Sequence, residues 1–124
     1  MTSKSYQDLE VWQRAMDVVV ECYRVTQAFP KSEVYGLTNQ LQRAAVSIPA
    51  NIAEGQGRQY DSEFIQFLYV APGSLTELET HIQIAARLNY LASSEANHLL
   101  AKTGEVGRLL NGLIRFLRSK TQNK

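Results

Sequence analysis

Between Phe64 and Ala85 the apolar residues Phe64, Leu68, Ala71, Leu75, Leu78, Ile82 and Ala85 follow one another at alternating steps of four and three. A strand brings residues two apart onto one face, whereas a helix with 3.6 residues per turn brings together residues three and four apart. Seven positions in this register share a face only if the segment is helical. A helix with one such stripe must then be covered by other elements.

The rest of the chain supplies three more rods of the same kind. Leu9, Trp12, Met16, Val19, Tyr23 and Thr26 mark the first, Leu37, Leu41, Ala44, Ile48 and Ile52 the second, and Leu99, Val106, Leu110, Leu113 and Leu117 the fourth. Pro30 stops the first rod, because proline cannot continue the hydrogen-bond ladder and disfavours the helical region at Phe29. The run Gly55-Gln56-Gly57 supplies a stop after the second rod. Asp61 or Ser62 caps the third and Ser93 or Ser94 the fourth. These signals predict helices over about 8–28, 36–56, 61–90 and 94–119. Rods of matched length joined by short links fold as an all-α, antiparallel, up-down-up-down four-helix bundle, with Leu78, Ile82 and Leu110 at its centre.

A length of 124 residues, with 44% apolar and 20% charged side chains, fits a single globular domain over 1–124. Its flexible ends are expected at about 1–6 and 120–124. No apolar run approaches the roughly 18 to 20 residues that span a bilayer. The opening MTSKSYQDLE lacks the apolar segment of a signal peptide, so the expected location is the cytoplasm. Cys22 is the only cysteine, which excludes an internal disulfide; its neighbours suit a small core or interface hydrophobe better than a reactive thiol.

Pro49 and Pro72 fall inside the second and third helical patterns and predict a bend at each. Two bends either open a pocket or wrap the bundle around its core. Val11, Val18, Val20, Val46, Ile65, Tyr69, Ile84, Leu109, Ile114 and Phe116 lie off the main stripes. They read either as a second face that meets another subunit or as the margin of wide core stripes.

Candidate chemistry is sparse. A di-iron bundle requires two E-x-x-H pairs, and Glu95 to His98 is the only one; His81, near Glu77 and Glu79, does not complete the set. No nucleophile motif and no phosphate-binding glycine loop is present. The chain is therefore expected to be no enzyme, with no catalytic residue, cofactor or metal. Gln40, Arg43, Ser47, Asn51 and Glu54 form a polar stripe on the second helix, open to solvent, to an interhelical hydrogen-bond network or to a ligand.

The net charge is only +1, but no acidic residue follows Glu105, whereas Arg108, Arg115, Arg118, Lys120 and Lys124 do. The three arginines stand at steps of seven and three, roughly on one side of the fourth helix. This is either a phosphate-facing stripe or a solvated helix end whose cations complement the helix dipole.

QLQRAAVSIPANIAEGQGR at residues 40–58, together with LEVWQRA, FPKSEVYGLT, FIQFLYVAPGSLTELET and LLNGLIRFL, resembles the four-helix bundle proteins also called 23S rRNA intervening sequence proteins. The resemblance spans nearly the whole chain and implies a small bacterial helical bundle. It also implies homo-oligomers, five-subunit rings above all, and a similarity to the accessory protein of diversity-generating retroelements, which works with nucleic acid. The motif positions it carries over are Arg43, Ser47, Pro49, Asn51, Glu54, Gly55, Gly73, Ser74, Glu77 and Glu79, none with a catalytic role. Pro72 departs from the family pattern, in which a helix-forming and often basic residue is usual. Two functions follow: non-specific binding of RNA or DNA as an accessory factor through Arg108, Arg115, Arg118, Lys120 and Lys124, or a protein-interaction scaffold without nucleic acid.

Overall fold

The computed structural model describes residues 5–122, so the expected contribution of Lys124 and the outermost parts of both ends lie outside the described residues. Four helices run through it: α1 (Glu10–Thr26), α2 (Leu37–Gln56), α3 (Asp61–Arg87) and α4 (Ser93–Gln122). Short 3₁₀ turns at Tyr6–Asp8 and Lys31–Glu33 precede α1 and α2. Ser5 and Tyr6, expected in a flexible end, are organised. Ser5 caps the first turn in a reciprocal capping box, and the Tyr6 ring meets Trp12 edge-on at 5.2 Å. At the other end α4 carries residues 120–122.

Each helix packs on two others, α1 on α2 and α4, and α3 on α2 and α4; the diagonal pairs make no close backbone contact among the described residues. This is a square up-down-up-down bundle. The seven α3 positions at steps of four and three are all buried, and Leu78, Ile82 and Leu110 have no exposed surface. No helix among the described residues is long and apolar enough to cross a membrane.

On α1 the buried face differs from the expected one. The core takes Val11, Ala15, Val18, Cys22 and Val25, while Met16 and Tyr23 are 37% and 45% exposed and Trp12 and Val19 are half-buried. Two interleaved runs with the same spacing coexist on this helix, about 100° apart around its axis. The run that wins consists of compact side chains, which let α1 sit close against α2 and α4. The off-stripe residues divide in the same way: Val11, Val18, Ile65 and Ile114 enter the core, Leu109 packs at its edge, and Val20, Val46, Tyr69, Ile84 and Phe116 stay exposed.

Local chemistry at the helix ends also departs from the sequence reading. Tyr60, not Asp61 or Ser62, is the N-cap of α3, and Asp61 begins the helix itself. At the start of α2 no N-cap side chain takes part; the Glu33 carboxylate accepts from Leu37 N at 3.0 Å and, through its other oxygen, from Tyr90 Oη at 3.0 Å. That hydrogen bond raises the Tyr90 phenol above its ordinary pKa. One carboxylate thus caps α2 and ties the α1–α2 loop to the α3–α4 loop. Pro49 and Pro72 are both inside helices that run on past them, and Pro49 is buried.

The run Gly55-Gln56-Gly57 does end α2, with Gly57 as its C-cap, but Gly55 itself is buried inside the helix. A Cβ there would lie 2.7 Å from Phe67 Cβ and 2.8 Å from Phe64 Cδ1, so the bare backbone lets α3 approach. Gly73, within α3, has nothing within 4 Å of the same added atom. Gly55→Ala is therefore expected to destabilise the fold by about 1–3 kcal/mol through overpacking. Gly73→Ala, which only removes backbone freedom from a helix, should stabilise it by about 0.5–1 kcal/mol. Urea denaturation of both variants checks the contrast, and equal shifts would contradict it.

Candidate functional site

Two surfaces carry the polar residues singled out by the sequence. The first is the seam between α2 and α3. Ser47 Oγ and Ser74 Oγ are 2.8 Å apart across it. The Asn51 amide donates to the Ser47 carbonyl at 2.8 Å and to Ser47 Oγ at 3.1 Å. Three of the motif residues therefore satisfy one another in a half-buried network.

The remaining members of the stripe do not join. Gln40, Arg43 and Glu54 are exposed, and Glu54 pairs at 3.0 Å with Arg58, just beyond the end of its helix. The Arg58 guanidinium in turn lies 4.6 Å from the centre of the Phe67 ring, on α3. Glu79 faces away from this seam and accepts from Thr103 Oγ1 of α4 at 2.7 Å; Thr103 has no exposed surface. Glu77 is exposed, with its carboxylate 3.6 Å from His81 Nε2. His81 is 8% exposed, and its ring nitrogens are the only buried side-chain nitrogen or oxygen atoms without a hydrogen-bond partner among the described residues.

No group of three or more His, Cys, Asp or Glu side chains that could hold a metal ion is found among the described residues. Glu95 pairs with Arg24 across the α1–α4 contact at 3.3 Å, and His98 is exposed. Burial, with a smaller effect from Glu21, pushes the Cys22 thiol up to about 12, which leaves essentially no thiolate at neutral pH.

The second surface is the outer side of the C-terminal half of α4. Arg108, Arg115 and Arg118 are exposed, and none has a carboxylate in ion-pair range among the described residues. Arg115 and Arg118, with Ser119 and Gln122, line an open groove of about 390 Å³. Lys120 differs from the arginines, because its Nζ is 3.1 Å from the Asp61 carboxylate at the start of α3. The sequence reading grouped it with the free cations, since nothing local reveals that the start of α3 arrives beside it. For the same reason Arg14, paired with Glu105 at 3.4 Å, and Arg24 escaped notice as ties between α1 and α4. So did Thr103, whose signal is only a polar residue on an apolar stripe.

A square helical bundle with a self-satisfied polar seam and an unpaired basic face defines the class of protein. Within that class, the chain belongs to the 23S rRNA-intervening sequence protein family, which it matches over residues 7–112. It is also similar to a solved structure of a protein of unknown function from the S23 ribosomal protein family of Bacteroides thetaiotaomicron VPI-5482. The TM-score is 0.77 at 22% identity, covering 84% of this chain and 97% of that one, a likeness of fold. No curated protein matches the chain.

If the seam is architecture, its serines act as a unit. Ser47→Ala or Ser74→Ala alone should cost about 1 kcal/mol, because each leaves a half-buried hydroxyl short of a partner. The double variant should cost markedly less than the sum of the two. A double-mutant cycle in urea reads this coupling, and strict additivity would contradict it.

Proposed function

We propose that the chain is a non-catalytic, self-assembling bundle of the cytoplasm that holds RNA or DNA through phosphates, as an accessory factor indifferent to base sequence. The observation that carries this reading is the grouping of free arginines on α4. Arg14, Arg24 and Arg58 are neutralised by Glu105, Glu95 and Glu54, and the exposed Arg43 and Arg87 stand singly on α2 and α3, while Arg108, Arg115 and Arg118 are left free together on one side of a helix segment without acids. Unpaired guanidinium groups on a rigid helix suit phosphate, whose oxygens accept their forked donors. Few side chains on this face are suited to reading base edges, so the binding is backbone-directed.

Assembly supplies the affinity that a chain of net charge +1 lacks. The second apolar run of α1, with Met16, Val20 and Tyr23 exposed, and the exposed Val46, Tyr69 and Val70 of α2 and α3 favour association with further copies. In this reading the assembly is a cyclic homo-oligomer, a pentamer by family resemblance, and repetition turns modest patches into one polyvalent surface. The absence of catalysis in this reading is supported by the buried thiol of Cys22 and by the mutual engagement of Ser47, Asn51 and Ser74.

The test is retention of RNA by the purified protein at about 50 mM salt, where electrostatic contacts are strongest. Replacing Arg108, Arg115 and Arg118 together by glutamine should abolish retention, while light scattering gives wild type and variant the same mass of several chains. Wild-type protein that binds neither RNA nor DNA at that salt would contradict the reading. In that case the apolar α1 face, and a protein-interaction role, would take its place.

A further inference from the structure

We infer that the nucleic acid held by the α4 face is single-stranded, with one of its bases stacked on Phe116. This rests on the phosphate-binding reading above and adds the class of ligand to it. Phe116 is 59% exposed, in the turn that follows Arg115 and precedes Lys120. An isolated exposed aromatic is ordinary on a protein surface. The company of this one is not: Arg115 precedes it directly, Arg118 follows two residues later, and no acidic residue occurs between Arg108 and the end of the described chain.

Around the helix axis, residues 115 and 116 are separated by about 100°, which sets the ring along the flank of the groove rather than beneath it. The groove is lined by Arg115, Arg118, Ser119 and Gln122, residues whose polar ends can all bind phosphate. Lys120 Nζ stands 5.5 Å from the centre of the Phe116 ring and is held in place by Asp61. The tethered ammonium thus lies over one face of the ring, and a base stacks on the opposite face, beside the phosphate-binding groove. A strand whose backbone follows the groove can turn a base over the rim onto the ring.

Only an unpaired base has a free face to offer. In a duplex both faces are occupied by neighbouring base pairs, so a duplex can use the arginines but not the phenyl ring. Positively charged grooves flanked by aromatic side chains bind single strands through this combination, with little dependence on sequence because every base has a π-face. Neither stacking nor phosphate contact involves the ribose 2′-hydroxyl, so single-stranded RNA and DNA both fit.

Fluorescence anisotropy at about 50 mM salt tests this, using the full chain and three labelled ligands of one sequence: single-stranded RNA, single-stranded DNA and the DNA duplex. The proteins are wild type, Phe116→Leu, which keeps an apolar helix-forming side chain without the ring, and the triple arginine-to-glutamine variant. Binding of either single strand should be about tenfold or more tighter than that of the duplex. The tighter of the two names the polymer. Phe116→Leu should erase most of that difference and leave duplex binding and assembly unchanged, whereas the arginine variant should weaken all three ligands. Equal wild-type affinity for strand and duplex, or a preference that survives Phe116→Leu, would overturn the stacking inference while leaving the phosphate reading in place. Loss of all binding in the wild type would overturn both.

Discussion

At Gly55 the backbone of α2 comes so near α3 that even a methyl group would press on Phe64 and Phe67. Much of the molecule follows from that approach. It fixes the register of the antiparallel pair, which two turns away brings Ser47 against Ser74 and leaves Asn51 free to bridge back to Ser47. α3 is thereby held with its whole apolar stripe turned inward, and α1 and α4 complete the square around it. The close contact is short-range dispersion and excluded volume, so it tolerates almost no substitution, in contrast to the adaptable surface ion pairs elsewhere.

The motif through which the chain resembles its family therefore serves construction. Pro49 is buried, Ser47 and Asn51 are satisfied within the seam, and Glu54 reaches Arg58, which lies over Phe67. Glu79 links α3 to the buried Thr103 of α4, and Glu33 closes the far end by joining two loops. These polar ties join neighbouring helices and loops through single acidic and hydroxyl groups. What they leave unused includes the outer side of α4, where three arginines stand without carboxylate partners beside an exposed phenyl ring.

The sequence displays the parts of this structure that depend on periodicity alone. The α3 run of alternating fours and threes can be read without ambiguity, and the burial of Leu78, Ile82 and Leu110 follows from it. On α1, periodicity misleads, because two runs share the spacing and only the neighbours decide that Val11, Ala15, Val18, Cys22 and Val25 face inward. The run Gly55-Gln56-Gly57 reads correctly as a helix stop, with Gly57 at the cap, but nothing local tells that Gly55 serves contact with α3 instead. Asp61 reads as a cap for a similar reason, although its partner, Lys120, lies about sixty positions away in the chain. The arginine stripe of α4 was visible in sequence, but its freedom from carboxylates was not, because pairing depends on which helices lie alongside.

The division of labour between an architectural seam and a binding face on α4 is tested most directly by photo-crosslinking. A single-stranded oligonucleotide containing 4-thiouridine is irradiated with the intact protein, and the linked peptides are identified by mass spectrometry. Crosslinks should fall within residues 108–122, at Phe116 above all, and be absent from the α2–α3 seam. Crosslinks centred on residues 40–58, or on Ser74 and Glu77, would instead make the motif the binding site and contradict the account.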